Sequence, residues 1–225
     1  MTFMLRRFIS DEQMKAVQPP FFFSWFRPEN LLCRMPADRK AIYITFDDGP
    51  IPEATPEALE ILGKYNARAT FFLVGDNIRK HPELLEMIRK EGHATGNHTY
   101  HHLNGWKTPP GAYVEDAARC ASLLPTTLFR PPYGRFTPAQ YWLLRKQYRF
   151  VLWSILTYDF DRKITREQCL DIALKYAGKG SVVVFHNHLK TLDKVRYALP
   201  RFLDHFAERG YSFEPLPEQR RPLSG

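Results

Sequence analysis

The chain of 225 residues has little of what marks several protein classes. It has three cysteines, Cys33, Cys120 and Cys169, far apart and in no C-x-x-C pair. That pattern argues against a disulfide framework and against a thiolate metal site, and fits buried thiols in a reducing compartment. Long apolar runs are absent. The stretch Phe21-Phe22-Phe23-Ser24-Trp25-Phe26 stands between Pro19-Pro20 and Arg27-Pro28, far short of the ~18 apolar residues that a spanning helix needs. No apolar segment with a small-residue cleavage site follows the N-terminus, so no secretory signal is legible and a cytoplasmic location is the expectation. The G-x-G-x-x-G dinucleotide fingerprint is missing too. Acidic residues, 24 against 32 basic, leave a formal charge of +8. The basic residues are scattered and follow no zinc-finger, basic-zipper or RNP pattern, so no nucleic-acid partner is expected.

What is present is a globular composition, 44% hydrophobic and 14% aromatic, which excludes global disorder. From residue 41 short β-branched or aromatic runs alternate with helix-period stretches, the pattern of βα units around a mainly parallel sheet. Seven strands are expected, at Ala41–Phe46, Ala69–Val74, His93–Gly96, Thr127–Arg130, Phe150–Ile155, Ser181–Phe185 and near Tyr211–Glu214. Such a series fits a barrel or an open doubly wound sheet. Thr55-Pro56 and Thr137-Pro138 read as capping hydroxyls before a first-turn proline, and Thr165 to Gln168 as a capping box. Residues 1–40 read as an N-terminal extension, 41–216 as one domain, and 217–225 as a tail.

Polar clusters follow the strands: Asp47-Asp48-Gly49-Pro50, Asn97-His98 through His102, Tyr158-Asp159-Phe160-Asp161 and His186-Asn187-His188. In either architecture that rim is where sites are built. Adjacent carboxylates leaving a strand point in different directions, so one can hold a metal while the other stays free as a base. His98 and His102, four apart, share one face of a helical turn, but without the Glu of H-E-x-x-H there is no metalloprotease signature. One Asp and two His make an oxygen–nitrogen set with open positions, suited to Zn²⁺ and also to Fe²⁺, Co²⁺, Ni²⁺ or Mn²⁺. His186 emerges at the same rim as a candidate acid with Asp159 as partner, and Arg130 can hold a carboxylate ionised.

Taken together and in order, Thr45-Phe-Asp-Asp-Gly-Pro50, His98-Thr-Tyr-His-His102, Arg130-Pro-Pro-Tyr133, Asp159 and His186 resemble the polysaccharide deacetylases, the NodB-homology domain of carbohydrate esterase family 4. The resemblance covers roughly residues 41–216. It implies a distorted (β/α) barrel in a single α/β domain and a metal-dependent hydrolase that removes acetyl groups, mostly N-acetyl, from a glycan or amino sugar. It further implies Asp48, His98 and His102 as metal ligands, with zinc foremost, and Asp47 as general base oriented by Arg130. The Tyr133 N–H becomes an oxyanion contact, and His186 the general acid tuned by Asp159. Phe160 stands where the family has Trp in the acetyl-pocket wall, Leu156 replaces an Asp, and Asn187-His188 departs from His-Asp. Relatives acting on wall glycans are usually exported, so the analogy points to the cell envelope. A catalytically silent carbohydrate-binding module and a two-His, one-carboxylate iron oxygenase are the rival readings.

Overall fold

The computed structural model describes residues 30–218. Residues 1–29 and 219–225, with most of the expected extension and tail, lie outside the described residues. The described chain forms a nine-stranded sheet whose pairs are all parallel, with main path β1-β6-β5-β4-β3-β2-β8-β7 and β9 alongside β2. The strands are β1 (Leu31–Leu32), β2 (Ala41–Asp47), β3 (Thr70–Leu73), β4 (Ala94–Asn97), β5 (Leu128–Phe129), β6 (Arg149–Val151), β7 (Ile155–Leu156), β8 (Val182–His186) and β9 (Ser212–Phe213). Helices α1 (Ala54–Lys64), α2 (Gly75–Lys80), α3 (Pro82–Lys90), α4 (Pro110–Ala121), α5 (Pro138–Leu144), α6 (Arg166–Tyr176) and α7 (Leu192–Ala207) lie between them. The two ends of the path, β1 and β7, do not pair among the described residues, so the barrel is curled and open rather than closed.

The alternation of β2 explains how the sheet makes both a core and a site. Every residue of β2 is buried. Ile42, Ile44 and Phe46 pack with Leu59 and Leu62 of α1 and with Ala198, Leu199 and Phe202 of α7 in the outer core. Tyr43 faces the other way, into an inner cluster with Leu32, Phe72, Leu128, Val151 and Val182. A period of two then sends Thr45 and Asp47 to the same inner side. Burying one such apolar side chain stabilises by roughly 1.5–3 kcal/mol, so a one-residue slip would both expose the outer stripe and remove Asp47 from the interior.

Sequence and structure differ at four places. The run expected over Phe150–Ile155 divides into β6 and β7, because residues 152–154 leave the β5 side of the sheet and rejoin beside β8, where Ser154 N donates to the Val182 carbonyl. Leu31–Leu32 adds an unforeseen strand paired with β6; two residues are too short for any periodicity to reveal. Thr55 does not cap α1, which starts at Ala54 with no side-chain cap. Its buried hydroxyl accepts from Ile51 N and donates to Asn187 Oδ1 instead. Finally, His98 and His102 stand on a loop after β4 and not on a helix. The boxes at Thr137 with Gln140 and Thr165 with Gln168 are both formed.

Candidate active site

The residues singled out at strand ends converge at the C-terminal rim of the sheet. Asp47 and His186 close adjacent parallel strands and are register partners, so they end side by side at the same level of the rim. The rim is also where the backbone is least relaxed. Asp48, Thr99, His102, Tyr133 and Tyr158 all have positive φ, with Asn66 the one other non-glycine of this kind among the described residues. Such left-handed conformations persist only where surrounding contacts over-determine them.

Asp47 is 5% exposed and Arg130 fully buried. Arg130 Nη1 lies 2.7 Å from Asp47 Oδ1 and donates, also at 2.7 Å, to Thr45 Oγ1. Its Nε and Nη2 donate to the carbonyls of Val151 and Leu152, and its guanidinium sits 4.1 Å from the Phe72 ring centroid. Burial pulls the Arg130 pKa down and the Asp47 charge pulls it back up. A buried cation satisfied on this many sides fixes the rotamer of the carboxylate it holds.

Asp48, His98 and His102 form one group whose ligand atoms lie within 4.8 Å of one another. Asp48 Oδ1 is 3.1 Å from His102 Nε2 and 3.7 Å from His98 Nε2, close to the separation of donors around one cation. His98 Nδ1 is 2.7 Å from the Arg130 carbonyl. A carbonyl only accepts, so that nitrogen carries the proton and Nε2 keeps its lone pair toward Asp48. Burial pushes the His98 imidazole down to about 4, which keeps it neutral at pH 7, the form a ligand needs. Burial would raise the Asp48 carboxyl, but its hydrogen bond to His102 and the imidazoles of His186 and His98 hold it well below the usual range. One carboxylate oxygen and two imidazole nitrogens fit a divalent cation with positions left open.

Asp116 and Asn77 carry no sequence signal, whereas Asn97 stands in the polar cluster at the end of β4. Asp116 of α4 accepts from the N–H groups of Tyr100 and His101 and meets His101 Nδ1, which ties down the loop between His98 and His102. Asn97 Oδ1 accepts from Thr99 N, and Asn77 Nδ2 donates to the Asp48 carbonyl. Nothing in Asp116 or Asn77, each many residues from the group it supports, announces such a bond. Among the remaining histidines, His93 is a core residue whose Nδ1 accepts from Ala69 N.

Across the rim, His186 Nδ1 is 2.7 Å from Asp159 Oδ1, and Asp159 Oδ2 accepts from the His186 backbone N–H. Asp159 is fully buried. Burial disfavours the charged imidazole, but the Asp159 carboxylate overrides this and raises the His186 pKa to about 9. Its ring packs edge-on against Phe160. A cleft of about 510 Å³ runs between these groups, lined by Asp48, His102, Tyr133, Phe160, His188 and Lys190 among others. Asn187 is buried, its N–H donates to the Asp47 carbonyl, and a Cβ at Gly49 would lie 2.8 Å from its Oδ1, so a side chain at 49 would press on the amide that accepts from Thr55. Leu156 stays in the β7 ladder opposite Val184.

Residues 34–151 match the polysaccharide deacetylase family. A peptidoglycan-N-acetylglucosamine deacetylase of Bacillus cereus is 31% identical over 207 residues, 87% of this chain and 74% of that protein. A chitooligosaccharide deacetylase of Azorhizobium caulinodans is 31% identical, covering 82% of this chain and 96% of its own. The solved structure of the Bc1960 peptidoglycan N-acetylglucosamine deacetylase, in complex with an N-oxidanyl-benzamide, superposes with a TM-score of 0.81 at 30% identity, over 88% of this chain and 95% of that one. With the parallel curled sheet and the ordered strand-end residues, these similarities lead to one conclusion: the chain belongs to the polysaccharide deacetylase family.

Proposed function

We propose that the chain is a metal-dependent hydrolase that removes N-acetyl groups from an amino-sugar glycan of the peptidoglycan or chitooligosaccharide type. The observation that carries this reading is that Asp47, held by Arg130, and His186, held by Asp159, end neighbouring strands at the same rim as a three-donor group with open positions. Among the described residues no helix is long and apolar enough to cross a membrane.

In this reading Asp48, His98 and His102 hold the cation. A divalent cation, with zinc foremost for such a set, supplies polarisation of the acyl carbonyl and acidification of water. Asp47 takes the water's proton on the oxygen that Arg130 leaves free. The Tyr133 N–H, on a left-handed residue at the cleft wall, faces the carbonyl oxygen as negative charge builds there. His186, with its Nδ1–H fixed on Asp159, gives the Nε2 proton to the departing amine. Phe160 and Tyr133 wall the cleft.

The direct test is acetate release from N-acetylated chitooligosaccharides and peptidoglycan fragments by metal-loaded protein, before and after chelation. His98→Ala is expected to lower bound metal by about 10-fold or more and activity with it. Full metal content in that variant, or no acetate from any such substrate, would sink the proposal.

The acid role has a signed pH consequence. His186 works protonated, so activity holds below its pKa of about 9 and falls as pH rises through it. Asp159→Asn keeps an acceptor for Nδ1–H but removes the charge that raises the pKa, so the alkaline limb of kcat/KM moves down by about 1 unit or more. An unmoved limb in that variant contradicts the assignment. The same pairing contributes stability that is fully present below the ordinary imidazole value and is lost as pH climbs through about 9, because the folded state binds the proton more tightly.

A further inference from the structure

Four of the large apolar side chains most exposed in the described chain, Trp106, Tyr133, Phe160 and Leu189, belong to the rim segments that carry the site. Trp106 stands out because it is 63% exposed and yet held on three sides. Its indole N–H donates to the Phe136 carbonyl at 3.3 Å, and its backbone N–H to Asn104 Oδ1. The Arg135 guanidinium lies 4.9 Å from the ring centroid. Asn104 to Lys107 cannot drift away from this partner segment. A Cβ on Gly105 would fall 2.3 Å from the Arg135 carbonyl oxygen and 2.8 Å from the Phe136 Cα, which shows how closely the two backbones pack.

An aromatic ring left free in water ordinarily samples several rotamers, and binding must then immobilise it. Here one face is taken by a guanidinium and the polar edge by a carbonyl, so the remaining exposed surface is a flat apolar face already in place. The location gives it an occupant. Trp106 follows the ligand histidine His102 by one short turn, and Arg135 follows Tyr133, whose ring stands 4.6 Å from that of His102 in the cleft wall. The indole thus stands on the continuations of the two segments that make the His102–Tyr133 wall of the cleft, the side on which a linear glycan with one sugar at the cleft would present its next ring to it. A pyranose presents a face of C–H groups that suits an aromatic plane, and its hydroxyls suit the N–H groups of Arg135.

We propose that Trp106, backed by Arg135, is a stacking platform for a second sugar ring of the glycan, beyond the acetylated sugar seated at the cleft, and that it makes the enzyme prefer longer chains. This rests on the deacetylase reading above. The test compares acetate release from di-N-acetylchitobiose and penta-N-acetylchitopentaose by the wild type, Trp106→Ala and Trp106→Phe. The pentamer-to-dimer ratio of kcat/KM is expected to drop about five- to tenfold in Trp106→Ala, through KM and not kcat, and to recover in Trp106→Phe, which keeps a ring. An unchanged ratio, or a loss shared equally by both substrates, overturns the platform. Calorimetric binding of the pentamer keeps the two claims separate. If the wild type released no acetate, the deacetylase reading would fall, while a five- to tenfold weaker pentamer affinity in Trp106→Ala would still support the platform and an equal affinity would reject it.

Discussion

Asp47→Asn is expected to keep its metal and lose acetate release by about 10²–10⁴-fold, the usual contribution of a positioned proton acceptor. The amide is the same size, and its oxygen can still accept from Arg130 Nη1, which now lies 2.7 Å from Asp47 Oδ1. The ligand group is untouched, because Asp48 turns away from its neighbour through a left-handed backbone with φ 75°. What disappears is the carboxylate that the proposed reaction uses as its proton acceptor. Metal content measured beside turnover distinguishes this from collapse of the site. Wild-type turnover in this variant would move the base elsewhere, and lost metal would move Asp47 into the ligand set.

Arg130→Met should show the largest loss of stability, about 3–5 kcal/mol, because it breaks a buried ion pair from one side. Methionine fills part of the volume, but Asp47 keeps a charge with 7% of its side chain exposed and no cation against it. The carbonyls of Val151 and Leu152 lose donors as well. Asp47→Asn alone leaves the converse problem, a buried cation without its counter-charge. The two costs therefore overlap, and the double variant should be less destabilised than the sum of the singles. Urea unfolding of the four proteins measures the coupling. A cost below about 1 kcal/mol for Arg130→Met would mean that the pair is not the strut described here.

The two variants also separate what each level of organisation contributes. Both chemistries at Asp47 and Arg130 stand beside recognisable strands in the sequence, one before Gly49-Pro50 and one before Pro131-Pro132. Their contact, 83 residues apart in the chain, is a matter of sheet order. The same holds for Asp159 and His186: a carboxylate and an imidazole at neighbouring strand ends are readable, whereas the double hold on both the ring and the backbone N–H of His186 needs the strands in register. The spacing of His98 and His102 pointed to a shared ligand face, and they do approach one Asp48 oxygen, but from a loop. Thr99 and His102 adopt positive φ there, and Asp116 and Asn97 satisfy the N–H groups that a helix would have bonded internally. Local propensity could not foresee this, since the loop is held by partners from α4 and β4. The Thr55 cap failed for the same reason: its hydroxyl found Asn187, 132 residues on, and a tertiary partner outweighed a cap worth about 1 kcal/mol.

By itself the sequence determined which chemical groups this protein owns, in what order, and that they fall where strands end, because hydrophobic period and turn residues are local properties. It also determined the family, through motifs whose order along the chain survives any detail of packing. Only the tertiary structure decided which nitrogen of His98 faces Asp48, which oxygen of Asp47 is left for a proton, why Gly49 and Asn187 belong together, and that Trp106 is an anchored face rather than a loose surface ring. Those properties are set by contacts between residues far apart in the chain, and the register of the parallel sheet, with β2 against both β3 and β8, is what brings them within bonding distance.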